Sequence, residues 1–321
     1  MRPKLVTALT LALCVLTAPI AFADDAEVAA VAAVKKLGGT VRLDDKAAER
    51  PVVGVILSLT DCKDADLKQL AALKSLESLA LYRTKITDAG LKELSGFKSL
   101  KSLDLISTKV TDAGLKELAA LKELEQLGLN FTAVTGSGVK ELGAIKSFQR
   151  LSLVGAKVTD DGLKGIVEVK TLRNLYLNQT KITDAGLKEL AGLKELQVLN
   201  LDRTAITDAG LKNLAGLKLE LLEIPDAAKT DLGLKHYLAA TEPMTQVDLT
   251  GWRITDAGLK ELAGLKDLQS LNLHGTTVTD AGLQHLAAIK SLRSLDLSQT
   301  KVTKAGVDKL KAELPQCSIA N

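Results

Sequence analysis

From about residue 52 onward the apolar positions follow one repeating rule, Leu-x-x-Leu-x-Leu-x-x-Thr, seen as Leu76, Leu79, Leu81 and Thr84 and again as Leu172, Leu175, Leu177 and Thr180. The Leu-x-Leu alternation has the period of two that belongs to a strand, with both leucines on one side. Next comes Ile86-Thr87-Asp88-Ala89-Gly90-Leu91-Lys92-Glu93-Leu94, in which Leu91, Leu94 and then Phe97 fall at helical spacing. Thr87 or Asp88 stands where a helix wants its N-cap, so the repeated Asp is expected to cap. This segment returns in steps of 24 residues, beginning at Val110, Val134, Val158, Ile182, Ile206, Ile254, Val278 and Val302. The one double step holds a degenerate copy at 230–234, and another lies at 62–70, giving about eleven units. A strand, a turn, a helix and a return within so short a period place successive strands parallel and side by side, with helices on the opposite face.

The ends depart from this rule. Arg2 and Lys4 precede a charge-free apolar run from Leu5 to Ile20, and Ala21-Phe22-Ala23 is a small-x-small site, so residues 1–23 are predicted to be a signal peptide cleaved after Ala23. Residues 24–51 are predicted to be an N-terminal cap: apolar residues from Val28 to Leu37 have helical spacing, Gly38-Gly39 ends them, and Val41-Arg42-Leu43 is a short strand. Repeats are expected over 52–313 and a C-terminal cap over 314–321, with Ile319 in the strand-leucine column.

The repeated motif, from Leu-x-x-Leu-x-Leu through Thr-Asp-Ala-Gly-Leu-x-x-Leu, resembles the leucine-rich repeat, and is similar to the subtypes of ribonuclease inhibitor and F-box-type proteins. The resemblance implies an α/β fold: a right-handed solenoid, or horseshoe, with a parallel sheet on its concave side and helices on its convex side. It also implies a role in binding other proteins through the concave sheet. The chain differs from many members in carrying Thr where they carry Asn or Cys; a hydroxyl in that place can still bond to the turn backbone.

On the concave face, positions between and after the strand leucines vary while the framework does not. Tyr82, Arg83, Ile106, Asn130, Phe131, Tyr176, Asn178, Asp202 and Arg203 are the candidate partner-binding residues. Tyr, Phe and Arg are residue types that anchor protein interfaces, and aromatic residues make up only 2% of this chain. Asp202, Glu223, Asp226, Asp248 and Asp296 lend the C-terminal half of the same face an acidic character.

Charge narrows the function classes further. Forty-two basic against 39 acidic residues give +3, too little for a nucleic-acid binder. Ser298, His274 and Asp248 fall on neighbouring strands, but the pattern supplies neither an oxyanion hole nor a nucleophile turn, so no enzyme is expected. His236 and His285 read as solvated, no cofactor or metal is called for, and Cys62 and Cys317 lie too far apart along the coil to pair. Between Leu214 and Ile254 one residue is lost and one gained, with Pro225, Pro243 and Trp252 inside; this break either forms a local pocket or is a decayed repeat. The expectation is an exported, monomeric, non-catalytic scaffold with a protein partner and no membrane-spanning segment after cleavage. Its alternative is a structural or adhesive envelope component whose convex lysines, among them Lys92, Lys116, Lys140 and Lys188, bind anionic polymers.

Overall fold

The computed structural model describes residues 25–321, so the expected signal peptide lies outside the described residues. Helix α1 (Asp25–Lys36) packs Ala30, Val31 and Val34 over the first unit. The buried carboxylate of Glu27 accepts the Val52 N–H at 2.8 Å and ties this helix to the first repeat strand.

Thirteen strands follow among the described residues: β1 (Thr40–Leu43), β2 (Val52–Ile56), β3 (Ser78–Ala80), β4 (Ser102–Asp104), β5 (Gln126–Gly128), β6 (Arg150–Ser152), β7 (Asn174–Tyr176), β8 (Val198–Asn200), β9 (Leu221–Glu223), β10 (Gln246–Asp248), β11 (Ser270–Asn272), β12 (Ser294–Asp296) and β13 (Ser318–Ala320). From β2 to β9, neighbours pair in parallel and in register, as Leu79 with Leu103 and Leu103 with Leu127. Strand β13 closes the far end with Ile319 opposite Leu295, in the expected column.

Two features differ from an unbroken parallel sheet. Strand β1 runs antiparallel to β2, because the short turn between them folds the cap strand straight back. The sheet also divides into β1–β9 and β10–β13. Before the division Leu219 bridges Thr241, and the Glu242 N–H bonds the Leu219 carbonyl at 2.9 Å. Pro243, which has no N–H to donate, then takes the chain away from β9.

The leucines of the pattern form one continuous core, with Leu76, Leu81, Leu172 and Leu177 fully buried beside Phe97 and Phe148. Each buried leucine contributes about 1.5–3 kcal/mol. The period leaves little room on the other face, where most helical segments are one or two turns, such as the 3-10 segment Leu115–Ala120 and the α-helix Asp184–Leu190. The column threonines close the turn after each strand: the Thr84, Thr108 and Thr180 hydroxyls donate to the Leu81, Leu105 and Leu177 carbonyls at 2.6–2.7 Å.

The recurring aspartate does something other than the expected capping. Thr87 caps its helix, its hydroxyl accepting the Ala89 N–H at 3.2 Å, whereas Asp88 reaches the next unit. Its Oδ1 accepts the Thr111 N–H at 2.8 Å and its Oδ2 the Thr111 hydroxyl at 2.6 Å. The same rung joins Asp64 to Thr87, Asp160 to Thr183, Asp184 to Thr207, Asp256 to Thr279 and Asp280 to Thr303. The glycine of each motif makes room for it, since a Cβ at Gly114 would overlap Oδ1 of Asp88. Gly136 stands where other units carry this Asp, and there Thr159 has no rung and no side-chain cap.

Candidate binding face

The turn after most of the parallel strands places one residue in the left-handed region: Leu59, Arg83, Ser107, Phe131, Gln179 and Arg203 have φ between +53° and +62°. Such a conformation costs a non-glycine residue about 1–2 kcal/mol, and it recurs because the turn backbone bonds onward to the next unit. The Arg83 N–H donates to Ile106, Ser107 to Asn130, Phe131 to Val154, Gly155 to Asn178 and Gln179 to Asp202, all at 2.8–3.0 Å. This ladder brings Tyr82, Arg83, Ile106, Asn130, Phe131, Asn178, Asp202 and Arg203 into one row along the ends of β3–β8. Tyr176 stands just inside it, half-buried on β7.

Within the row, Phe131 is 56% exposed. Its ring lies across Gly155, where an added Cβ would come within 2.5 Å of it, so the aromatic face is presented rather than folded away. The Arg83 guanidinium stacks 5.6 Å from the centre of the Tyr82 ring and, among the described residues, has no carboxylate partner. Asn130 is fixed by the next strand, its Oδ1 accepting the Ser152 hydroxyl at 2.5 Å and the Val154 N–H at 3.1 Å. The corresponding donor for Asn178 is the Asp202 N–H, but Asn200 takes it at 3.0 Å, and the buried Oδ1 of Asn178 is left without a partner. Asp202 and Arg203 lie 3.6 Å apart and partly satisfy each other.

The row extends further than the sequence pattern suggested. Leu59 (68% exposed) and Ile56 (54% exposed) continue it onto the first unit. Leu59 lies 24 residues before Arg83, and that spacing was the signal available for finding it. There the row meets an open depression of about 730 Å³ between Lys36, Leu59, Asp61, Arg83 and Lys85.

The acidic half of the face is less free than its composition implies. Asp248 and Asp296 each turn back to accept the N–H two residues on, from Thr250 at 2.9 Å and Ser298 at 2.8 Å. Ser298, which also donates from its hydroxyl, and then His274 hold the Asp296 carboxyl below the usual carboxylate range. Asp226 pairs with Lys229 at 2.7 Å. No hydrogen bond links Ser298, His274 and Asp248 among the described residues. His236 is not simply solvated: its Nδ1 bonds the Asp208 carbonyl at 2.8 Å and helps bind two units together. At the sheet break Trp252 is buried and meets Tyr237 edge-on at 5.4 Å. The convex lysines Lys92, Lys116, Lys140 and Lys188 are all exposed.

The Leucine Rich repeat family model matches at residues 98–119, 170–191, 194–215 and 288–311, each match spanning parts of the strand, turn and helix just described. The chain carries leucine-rich repeats. Among solved structures, it is similar to an internalin of Listeria monocytogenes, at 20% identity over 96% of this chain and 98% of that one, with a TM-score of 0.48. A second internalin of the same organism, C2, matches at 24% identity over 64% of this chain and 94% of that one, with a TM-score of 0.42. A leucine-rich repeat protein of Leptospira interrogans matches at 20% identity over 81% and 88% of the two chains, with a TM-score of 0.39. No curated protein matches this chain in sequence. Among its described residues no helix is long and apolar enough to cross a membrane, and no group of three acidic, His or Cys side chains is arranged to hold a metal ion.

Proposed function

We propose that this chain is an exported, non-catalytic scaffold that recognises another protein through the row on its concave sheet. The observation that carries this reading is Phe131, more than half exposed and held over Gly155 by a left-handed backbone that would be relaxed by glycine. The Tyr82–Arg83 pair flanks it with a group that a protein surface satisfies, a carboxylate for the guanidinium.

The test is a pull-down from the source organism's envelope and culture fluid. The bait is the mature chain, in parallel with a variant carrying Arg83→Ala, Phe131→Ala and Tyr176→Ala. A partner held by the first and lost by the second, with unchanged circular dichroism, is the expected result. Equal capture by both, abolished by moderate salt, refutes this assignment in favour of anionic polymers on the convex lysines.

A further inference from the structure

The division of the sheet lies outside the N-terminal row. Strands β9 and β10 are consecutive along the coil yet share no hydrogen bond, and most of their Cα pairs stand more than 8 Å apart. Paired strands lie about 4.8 Å apart, and one strand inserted between two others needs about twice that distance. The opening is bounded at both ends, because Leu219 bridges Thr241 before it and Thr230 bridges Arg253 after it. Its edges carry backbone groups with no partner: the N–H groups of Leu222 and Ile224 on one side and of Gln246 and Asp248 on the other have none among the described residues. In intact parts of the sheet the group equivalent to Ile224 bonds across, as Leu81 does to the Asp104 carbonyl at 2.8 Å and Leu105 to Gly128 at 2.9 Å.

We propose that this opening receives an extended segment of a partner protein, alternating apolar and basic residues, as an inserted strand. The alternation follows from the two columns that the opening interrupts. The inward column runs Leu199, Leu222, then Val247, Leu271, so an inserted strand presents an apolar side chain to the core. Leu222 and Val247, at 3% and 6% exposed, are themselves buried and make the floor of the opening apolar. The outward column places exposed Glu223 on one side and Asp248 on the other, with exposed Glu220 and Glu242 nearby in sequence. Of the cations near the opening, Lys229 is held by Asp226 and Arg253 donates to the Ala227 carbonyl at 3.0 Å. An outward basic side chain therefore meets carboxylates on both flanks, while the main chain supplies the missing hydrogen bonds.

The probe is the capped peptide Lys-Val-Lys-Val-Lys, added to the full chain and followed by residue-resolved amide exchange. In the free protein Ile224 is expected to exchange faster than Leu81 and Leu105, and the peptide to slow Leu222, Ile224, Gln246 and Asp248 together. Backbone N-methylation of both valines removes two donors and is expected to weaken binding about tenfold. The Glu-Val-Glu-Val-Glu counterpart is expected to bind only to the Glu223→Lys, Asp248→Lys variant. Ile224 protected like Leu81 in the free protein, no binding of the lysine peptide, indifference to N-methylation, or protection confined to the Tyr82–Phe131 row would each overturn the proposal. The last of these outcomes would leave the row as the binding surface, so the two readings fail separately.

Discussion

The rung between Asp88 and Thr111 makes Asp88 and Gly114 a coupled pair. Asp88→Ala removes two hydrogen bonds, from the Thr111 N–H at 2.8 Å and its hydroxyl at 2.6 Å, and leaves a half-buried N–H unpaired. At about 1 kcal/mol each, the loss is about 2 kcal/mol. In the intact protein Gly114→Ala sets a Cβ against the Asp88 carboxylate, 2.9 Å from its Cγ and overlapping Oδ1. That overlap costs about 1–3 kcal/mol, more than the gain of at most about 1 kcal/mol from replacing a helical glycine. Once Asp88 is alanine, the nearest remaining neighbour from that residue is its Cβ at 3.0 Å, a contact relieved by a shift of a few tenths of an ångström, and Gly114→Ala costs less than it does beside the carboxylate. The double variant should therefore be about 1–2 kcal/mol more stable than the sum of the two single changes. Urea unfolding of the four proteins by circular dichroism, compared through midpoints at a common slope, measures this coupling. Additivity to within about 0.5 kcal/mol would refute the idea that the glycine exists to admit its neighbour's carboxylate.

Two further outcomes follow from titratable groups. Hydrogen bonds from Lys85, Lys164, Lys229 and Thr303 hold the Asp61, Asp161, Asp226 and Asp280 carboxyls below their ordinary value. The stabilisation is thus complete above that value and lost as pH falls through the lower folded-state values. The thermal midpoint should decline below pH 3.8, less steeply in Asp280→Asn, and a midpoint constant down to pH 2 would contradict this. Burial, helped by the Asp66 and Asp64 carboxylates, pushes the Cys62 thiol up to about 11, so a thiol reagent at pH 8 should modify it at least about tenfold more slowly in native protein than in urea; rapid native modification would show that the first unit opens.

The periodic part of this molecule was legible because one rule, repeated, encodes both local structure and neighbour: Leu79 and Leu81 announce a strand, and their recurrence at Leu103 and Leu105 announces what lies beside it. The row containing Arg83 and Phe131 was legible for the same reason. Leu59 is not legible in the pattern because its unit is degenerate, although its spacing matches. The role of Asp88 was hidden differently. Its position is also that of a helix cap, and only the stacking of units shows that it bonds to Thr111 instead. Asp248 and Asp296 read as surface charge, since nothing in the pattern says that a short side chain turns back onto its own backbone. Near Pro243 the shifted spacing marked an irregularity, but whether the sheet closes over it depends on where the chain goes after Thr241, which no local pattern specifies.

The rungs also bear on how such a chain can change length. Every regular rung joins an Asp to a Thr 23 residues later, and it makes no difference which copy supplies either partner. Excising residues 85–108 would bring Asp64 opposite Thr111 and β3 beside β5, with the same chemistry at every new junction. Loss or gain of whole units is thus invisible to the bonds between them, whereas loss of a fragment breaks a rung, a ladder bond and a core layer at once. The molecule resembles a counted stack whose joints fix the size of the increment while leaving the number of increments open.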